Sequence, residues 1–162
     1  MLRIFRFYLE RLDSTYRDRL FFVGLKARLL AAIALLVVIF IPFNIAKVIW
    51  THPPLTAPRI VVNLILEIAC LLSLRSVLKG QLDRAANGLA LAMTLTIHGA
   101  VLLIRANTNA VPLQPLSVGI QFFAFNIVML LFAIVFASRR IATAVFSITV
   151  AGHIGFYLLI LQ

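Results

Sequence analysis

Five apolar stretches fill this chain from residue 25 to its last residue, and each is about long enough to cross a lipid bilayer. They cover residues 25–50, 59–78, 85–104, 116–137 and 141–162. A membrane-spanning helix needs about 20 mostly apolar residues, so five of them leave almost nothing for a soluble domain in 162 residues that are 63% hydrophobic. The sequence therefore predicts an all-α, polytopic transmembrane helix bundle with five spans.

The basic residues are distributed unevenly among the connections. Twelve of the 15 Lys and Arg residues lie before or at the start of the first span, in or next to the connection between spans two and three, or in the connection between spans four and five. Because cytoplasmic connections are enriched in Lys and Arg, we expect the N-terminus to lie in the cytoplasm. The net charge of +10 does not indicate nucleic-acid binding, because the cations adjoin apolar runs, where they meet lipid headgroups.

The N-terminal segment, residues 1–24, has apolar side chains at helical spacing and arginines on the other face. This pattern is typical of an amphipathic helix that lies in the membrane interface on the cytoplasmic side. Asp13 and Ser14 are expected to end that helix and to cap a second stretch near Thr15. Residues 25–162 would then form the bundle. The recurring apolar residues are Leu2, Phe5, Leu9 and Leu12.

Ionisable and amide side chains occur inside the predicted spans, where they are costly and by default indicate a site. At about 1.5 Å of rise per residue, His98 in span three and His153 in span five reach the same depth, just outside the midplane. Glu67 and Asn126 fall near mid-depth, and three cations lie near the outer ends of spans one to three. We expect one ligand pocket in the outer half of the bundle. Its residues are His98, His153, Glu67, Asn63, Asn126, Lys47, Arg59 and Arg105.

Haem b is one candidate for the occupant of that pocket. Two neutral imidazoles on different helices, from His98 and His153, would bind the iron on its two axial sides. Gly99, Gly152 and Gly155 would let a flat macrocycle approach the backbone. The propionates would reach the cations Lys47, Arg59 and Arg105.

A small amphiphilic ligand, similar to a fatty acid, is a second candidate, because it needs only an apolar slot and a cation. The same polar residues would otherwise hold helices together through hydrogen bonds or form a proton or ion path. The chain carries no nucleophile motif, phosphate loop or paired carboxylates, so we expect no enzymatic activity. The aromatic residues of the slot would be Phe122, Phe123, Phe125, Phe156 and Tyr157.

Three short sequences carry a resemblance to a known class of protein. They are the segment from Tyr16 to Arg28 before the first span, Asn87-Gly88-Leu89-Ala90 followed by His98 in span three, and Gly152-His153 in span five. Together they resemble the N-terminal multi-helix membrane input regions of bacterial signalling proteins. In that class, a histidine kinase, cyclase or phosphatase domain follows in the cytoplasm. The resemblance implies a location in the bacterial inner membrane and signal perception by ligand-induced changes in helix packing.

The odd number of spans bears on the extent of the protein. Five spans place Gln162 on the outer side, whereas the input regions usually have an even number. We therefore expect a sixth helix and a cytoplasmic output domain in the full-length protein, and a complete five-helix protein is the alternative. A b-type cytochrome that carries electrons and a structural membrane subunit are two further alternatives. Glycines in the spans also permit the close helix contacts of a homodimer.

Overall fold

The computed structural model describes the backbone of residues 2–53, 55–106 and 115–160, and the side chains of residues 8, 10–53, 55–101 and 122–158. This part of the chain forms six helices and no strand. Each predicted span corresponds to one helix, with ends that differ by a few residues. The helices are α1 (Leu2–Tyr16), α2 (Phe21–Thr51), α3 (Thr56–Leu78), α4 (Leu82–Ala106), α5 (Pro115–Phe136) and α6 (Arg139–Ile160).

Three of the helices are long and apolar enough to cross a membrane: α2, α3 and the segment Arg139–Leu158 of α6. Their apolar side chains are exposed, as shown by Phe40 at 62% and Leu36 at 57% on α2. A water-soluble protein rarely exposes a continuous apolar surface of this kind. These helices identify the chain as a membrane protein.

The tightly packed core lies at one end of the bundle and consists largely of small side chains. Ala27 and Ala34 on α2, Cys70 on α3 and Ala133 on α5 are completely buried, and Ala86 on α4 is 1% exposed. Small residues let helix backbones approach closely, which is a common way to pack helices in lipid. The histidines lie beyond this core, because His98 follows the core residue Ala90 by about 12 Å along α4.

Helix α1 packs against the core end of the bundle through its last turns. Leu12 is 3% exposed within the core cluster, the Tyr16 hydroxyl donates a hydrogen bond to the Val77 carbonyl at 2.9 Å, and Arg28 forms a 2.7 Å ion pair with Asp13. Leu12 therefore contacts protein at its position in the predicted amphipathic stripe. The side chains of Leu2, Phe5 and Leu9 lie outside the described residues.

The prediction that Asp13 and Ser14 end the first helix is wrong, because α1 continues to Tyr16. The Ser14 and Thr15 hydroxyls donate to the Arg11 carbonyl at 2.9 and 2.8 Å. These side chains thus bond back to the preceding turn and do not cap a new helix.

Two tight connections set the neighbours of α4. Gly80 between α3 and α4 has a φ of +75°, a conformation that glycine adopts without steric cost. The Asn87 side chain on α4 accepts a hydrogen bond from the Ser138 backbone N–H between α5 and α6 at 2.7 Å. The start of α4 is thereby fixed next to the α5–α6 connection, and the histidine-bearing parts of α4 and α6 lie beside α5.

Candidate functional site

Three polar residues from three helices meet around the ring of Phe122 on α5. Its centroid lies 5.2 Å from the ring of His98 on α4 in an edge-on arrangement. The same ring stacks on His153 of α6 with the centroids 4.8 Å apart. Asn126, one turn after Phe122 on α5, places its amide nitrogen 3.4 Å from His153 Nδ1. The group formed by His98, Asn126, Thr149 and His153 is called the histidine cluster below.

Each histidine is oriented by the backbone carbonyl one turn before it on its own helix. His98 Nδ1 lies 2.8 Å from the Thr94 carbonyl oxygen, and His153 Nδ1 lies 3.0 Å from the Thr149 carbonyl oxygen. Because a carbonyl can only accept, Nδ1 carries the proton and donates it. In the neutral imidazole the other nitrogen, Nε2, then has a free lone pair and is a hydrogen-bond acceptor.

The amide of Asn126 cannot satisfy both of its ends within the cluster. Its residue is only 1% exposed, and its Oδ1 atom has no hydrogen-bond partner. The Nδ1 proton of His153 is an acceptable partner for an amide oxygen and a poor one for an amide nitrogen. Rotation of the amide would pair Oδ1 with that proton and would leave the amide N–H groups unpaired instead. Either orientation leaves at least half of a buried amide unsatisfied.

Four buried polar atoms in this cluster have no hydrogen-bond partner among the described residues. They are His98 Nε2, His153 Nε2, Asn126 Oδ1 and Thr149 Oγ1. The cluster lies among apolar side chains, since Thr149 is 4% exposed and His98 is 9% exposed. An unsatisfied buried polar group costs about 1–3 kcal/mol. Four of them lie close together in this cluster.

A groove of about 340 Å³ runs between α5 and α6 and borders the cluster. Asn126, Thr149 and His153 are among its lining residues, with the apolar side chains of Phe123, Ile127, Leu130, Val150 and Ile154. Three of the four unpaired polar atoms belong to these lining residues, and the fourth belongs to His98, which does not line the groove. The size falls within the range of small-molecule pockets. Its apolar wall suits a ligand that is soluble in lipid.

The packing around His98 does not fit a haem held between the two histidines. The ring of Phe122 contacts both imidazoles, and the backbone of Gly152 lies so close to His98 that a Cβ there would overlap Cδ2 and Nε2. A macrocycle between the rings would need the space that Phe122 and Gly152 fill. Among the described residues, no three His, Cys, Asp or Glu side chains are grouped as metal ligands.

Comparison with known proteins assigns no family to the chain. No family model, curated protein or solved structure matches it. The resemblance to bacterial input regions stays a prediction, and the geometry of the side chains carries the functional argument.

Three further expected pocket residues, Lys47, Arg59 and Asn63, lie near the connection between α2 and α3. Asn44 Nδ2 donates to Asn63 Oδ1 at 2.9 Å, and Asn63 Nδ2 donates to the Arg59 carbonyl at 2.8 Å. Lys47 lines a groove with both asparagines. No contact in the described part of the chain joins this group to the histidine cluster.

Two expected site residues belong to neither group. Glu67 is half-buried on α3. Among the described residues, no contact joins it to the histidine cluster or to Lys47. Arg105 is in α4, but its side chain lies outside the described residues. Of the eight predicted pocket residues, His98, Asn126 and His153 thus lie in the histidine cluster, and Lys47 and Asn63 line the groove between α2 and α3.

Thr149 is the cluster residue that the sequence analysis did not single out, and Thr94 is the matching residue on α4. Both stand four residues before a histidine, so Thr-x-x-x-His occurs at Thr94–His98 and again at Thr149–His153. Residues four apart are neighbours on a helix surface. The repeated spacing is the signal that could have predicted both threonines.

Proposed function

We propose that this protein is a ligand-binding, sensory membrane module that recognises an apolar molecule carrying a hydrogen-bond donor, such as a hydroxyl group. The observation that carries the proposal is the set of four buried polar atoms without a partner among the described residues, three of which belong to residues that line the α5–α6 groove. A module with no ligand would gain stability by replacing these groups with apolar side chains of the same shape. Their presence inside the bundle is what a binding site requires.

The tautomers of the histidines define the chemistry of the ligand. Both Nε2 atoms are acceptors when Nδ1 donates to the helix backbone. An ionised carboxylate has only acceptors and does not suit them, whereas a hydroxyl group donates to one Nε2 and accepts from the Thr149 hydroxyl. An alcohol-like molecule therefore fits these atoms better than the fatty-acid-like ligand expected from the sequence.

The proposal includes the finer topology of the chain. We infer five spans, α2 to α6, with α1 at the cytoplasmic interface of a bacterial inner membrane. Helices α4 and α5 have 25 and 22 residues, and a span needs about 20. The groove between α5 and α6 would then open sideways into lipid, from which an apolar ligand enters without crossing water.

The proposed mechanism is a shift between two packings of α4, α5 and α6. A hydroxyl group beneath the groove wall would donate its one proton to Nε2 of one histidine and accept hydrogen bonds from the Thr149 hydroxyl on α6 and the Asn126 amide N–H on α5. The ligand would favour the packing in which these helices surround it, and an output domain in the full-length protein would respond to the altered helix positions. We propose such a domain because of the resemblance to signalling input regions.

The proposal is tested by NMR of ¹⁵N-histidine-labelled protein in phosphatidylcholine nanodiscs, whose lipid headgroup carries no hydroxyl donor. The probes are 1-dodecanol and dodecyl methyl ether, which differ in the donor alone. We expect dodecanol to shift the Nε2 resonance of one histidine, His98 or His153, because a hydroxyl group has a single proton to donate. The ether should leave both resonances unchanged. His52 is exposed in the connection before α3 and is the internal reference.

A matched pair of variants separates binding from folding. Thr149→Val removes the unpaired hydroxyl and should weaken dodecanol binding about 2- to 10-fold, as expected for one lost hydrogen bond. Thr143→Val lies on the same helix, removes an exposed hydroxyl bonded to Arg139 and should bind normally. Equal shifts with both probes, or none with dodecanol, would contradict the proposal. So would a Soret band that His98→Ala and His153→Ala abolish.

A further inference from the structure

The second polar group lies at the end of the α2–α3 hairpin and has the form of a lipid site. Asn44 and Asn63 are hydrogen-bonded to each other across the two helices. Lys47 follows Asn44 by about 4.5 Å toward the hairpin end, and Arg59 precedes Asn63 by about 6 Å toward the same end. Since the helices are antiparallel, the two cations are at nearly the same height.

The spacing of charges along α2 places Lys47 at the edge of the hydrocarbon core. Arg28 and Lys47 are separated by 18 uncharged residues, which corresponds to about 28 Å of helix. The hydrocarbon core of a bilayer is about 30 Å thick. Both cations therefore lie where headgroups begin, at opposite faces of the membrane.

An apolar groove of about 510 Å³ leads from Lys47 toward the middle of the membrane. It extends along α2 as far as Leu36, about 16 Å from Lys47, which matches half the thickness of the hydrocarbon core. Its lining residues are Leu36, Val37, Phe40, Ile41, Phe43, Asn44, Lys47, Asn63 and Leu66. A groove one leaflet long, with a cation at its headgroup end, has the dimensions of a phospholipid chain.

The charges around this end of the hairpin lack an internal counter-ion. No ion pair joins Lys47 or Arg59 to a carboxylate in the part of the chain that is described, and Arg59 Nε is buried without a hydrogen-bond partner. Of the five acidic residues, Glu67 is the one on α3, about 12 Å deeper than Arg59. The remaining four belong to residues 10–18 or to the start of α4.

We propose that the α2–α3 groove binds an anionic phospholipid. One acyl chain lies along the apolar wall, and the phosphate and negatively charged headgroup contact Lys47 and Arg59. Cations bind anionic headgroups with a free energy that corresponds to about a fivefold preference per charge. This site is separate from the histidine cluster and does not depend on the proposed function.

Trp50 provides the measurement, because it is the one tryptophan in the chain, is 86% exposed and follows Lys47 by three residues on the same side of α2. The full chain is placed in phosphatidylcholine nanodiscs that contain a minor fraction of lipid brominated in its acyl chains. We expect brominated phosphatidylglycerol to quench Trp50 more strongly than the same fraction of brominated phosphatidylcholine. This comparison uses the wild-type chain and needs no variant to fold.

Variants then assign the preference to the site. Lys47→Gln should lower the excess quenching by phosphatidylglycerol about fivefold, and Lys47→Arg should retain it. Lys79→Gln, at the other end of α3, removes the same charge and should have no effect. Equal quenching by the two lipids would overturn the proposal, and so would quenching by a brominated fatty acid that phosphatidylglycerol does not displace.

Discussion

Replacement of Gly152 by alanine tests the packing of the histidine cluster most directly. A Cβ at this position would overlap the His98 ring, whereas a Cβ at Gly155, one turn further along α6, would meet no atom of the described residues within 4 Å. Alanine is favoured over glycine inside a helix by about 1 kcal/mol. Both variants gain this term, so their difference reports the overlap at His98 alone.

The expected loss of stability follows from the contacts that hold the His98 ring in place. Its ring is held by the Nδ1 bond to Thr94 and by the edge of Phe122, so it cannot simply rotate away from the added methyl group. Extra volume in a packed interior costs about 1–3 kcal/mol. We therefore expect Gly152→Ala to be about 1–3 kcal/mol less stable than Gly155→Ala.

The assay is unfolding in mixed micelles as the denaturing detergent is increased, followed by far-ultraviolet circular dichroism. A double-mutant cycle with His98→Ala completes the test, because removal of the ring should abolish the penalty of Gly152→Ala and expose a coupling of about 1–3 kcal/mol. If Gly152→Ala and Gly155→Ala unfold alike, the contact between α4 and α6 described above is wrong. A penalty that persists without the His98 ring would also refute it.

Two further predictions concern other parts of the fold. Burial raises the pKa of Tyr16 above its usual value of 10.0. Two smaller effects oppose each other: Arg19 lowers this pKa and Asp83 raises it. The stability that this group contributes is therefore complete below about pH 10 and is lost as the pH rises through the folded-state pKa. Tyr16→Phe should remove this dependence when unfolding is measured in an alkaline pH titration. At neutral pH the same variant should lower the free energy of unfolding by about 0.5–1.5 kcal/mol. Asn63→Leu should lower the free energy of unfolding in detergent by about 0.6 kcal/mol, near the average for hydrogen bonds between membrane helices. The double variant Asn44→Leu/Asn63→Leu should recover part of this loss. No loss in Asn63→Leu would mean that the hydrogen bond between the two amides contributes nothing.

The helices could be predicted from the sequence because the length of an apolar run determines them almost alone. The expected span 59–78 became Thr56–Leu78, and 141–162 became Arg139–Ile160. The error at Asp13 and Ser14 has a different origin. Both residue types are common helix caps, but here Asp13 pairs with Arg28 of the next helix, a tertiary contact that no local pattern contains.

The sequence predicts how far along its helix each polar residue of the candidate site lies, but not which neighbouring helix that residue faces. Rise per residue gives the height of each polar group in the membrane, and it places His98 and His153 at one level. It does not say which side of the bundle a helix faces. Lys47 and Asn63 therefore seemed to join the histidines, whereas α2 and α3 hold them in a separate groove. The position of a helix around the bundle depends on packing partners, which sequence spacing alone does not specify.

The contact between His98 and Gly152 also links the proposed binding to the proposed motion. Gly152 lies against the same ring atom, Nε2, that is left without a hydrogen-bond partner. A ligand hydroxyl group that reaches this atom must occupy the space of the α6 backbone, so α6 has to move away from α4. The cost of separating the helices is offset by pairing an acceptor whose burial costs about 1–3 kcal/mol. Within this proposal, ligand and α6 compete for one face of one histidine, and that competition gives the bundle the two alternative packings that a sensory module needs.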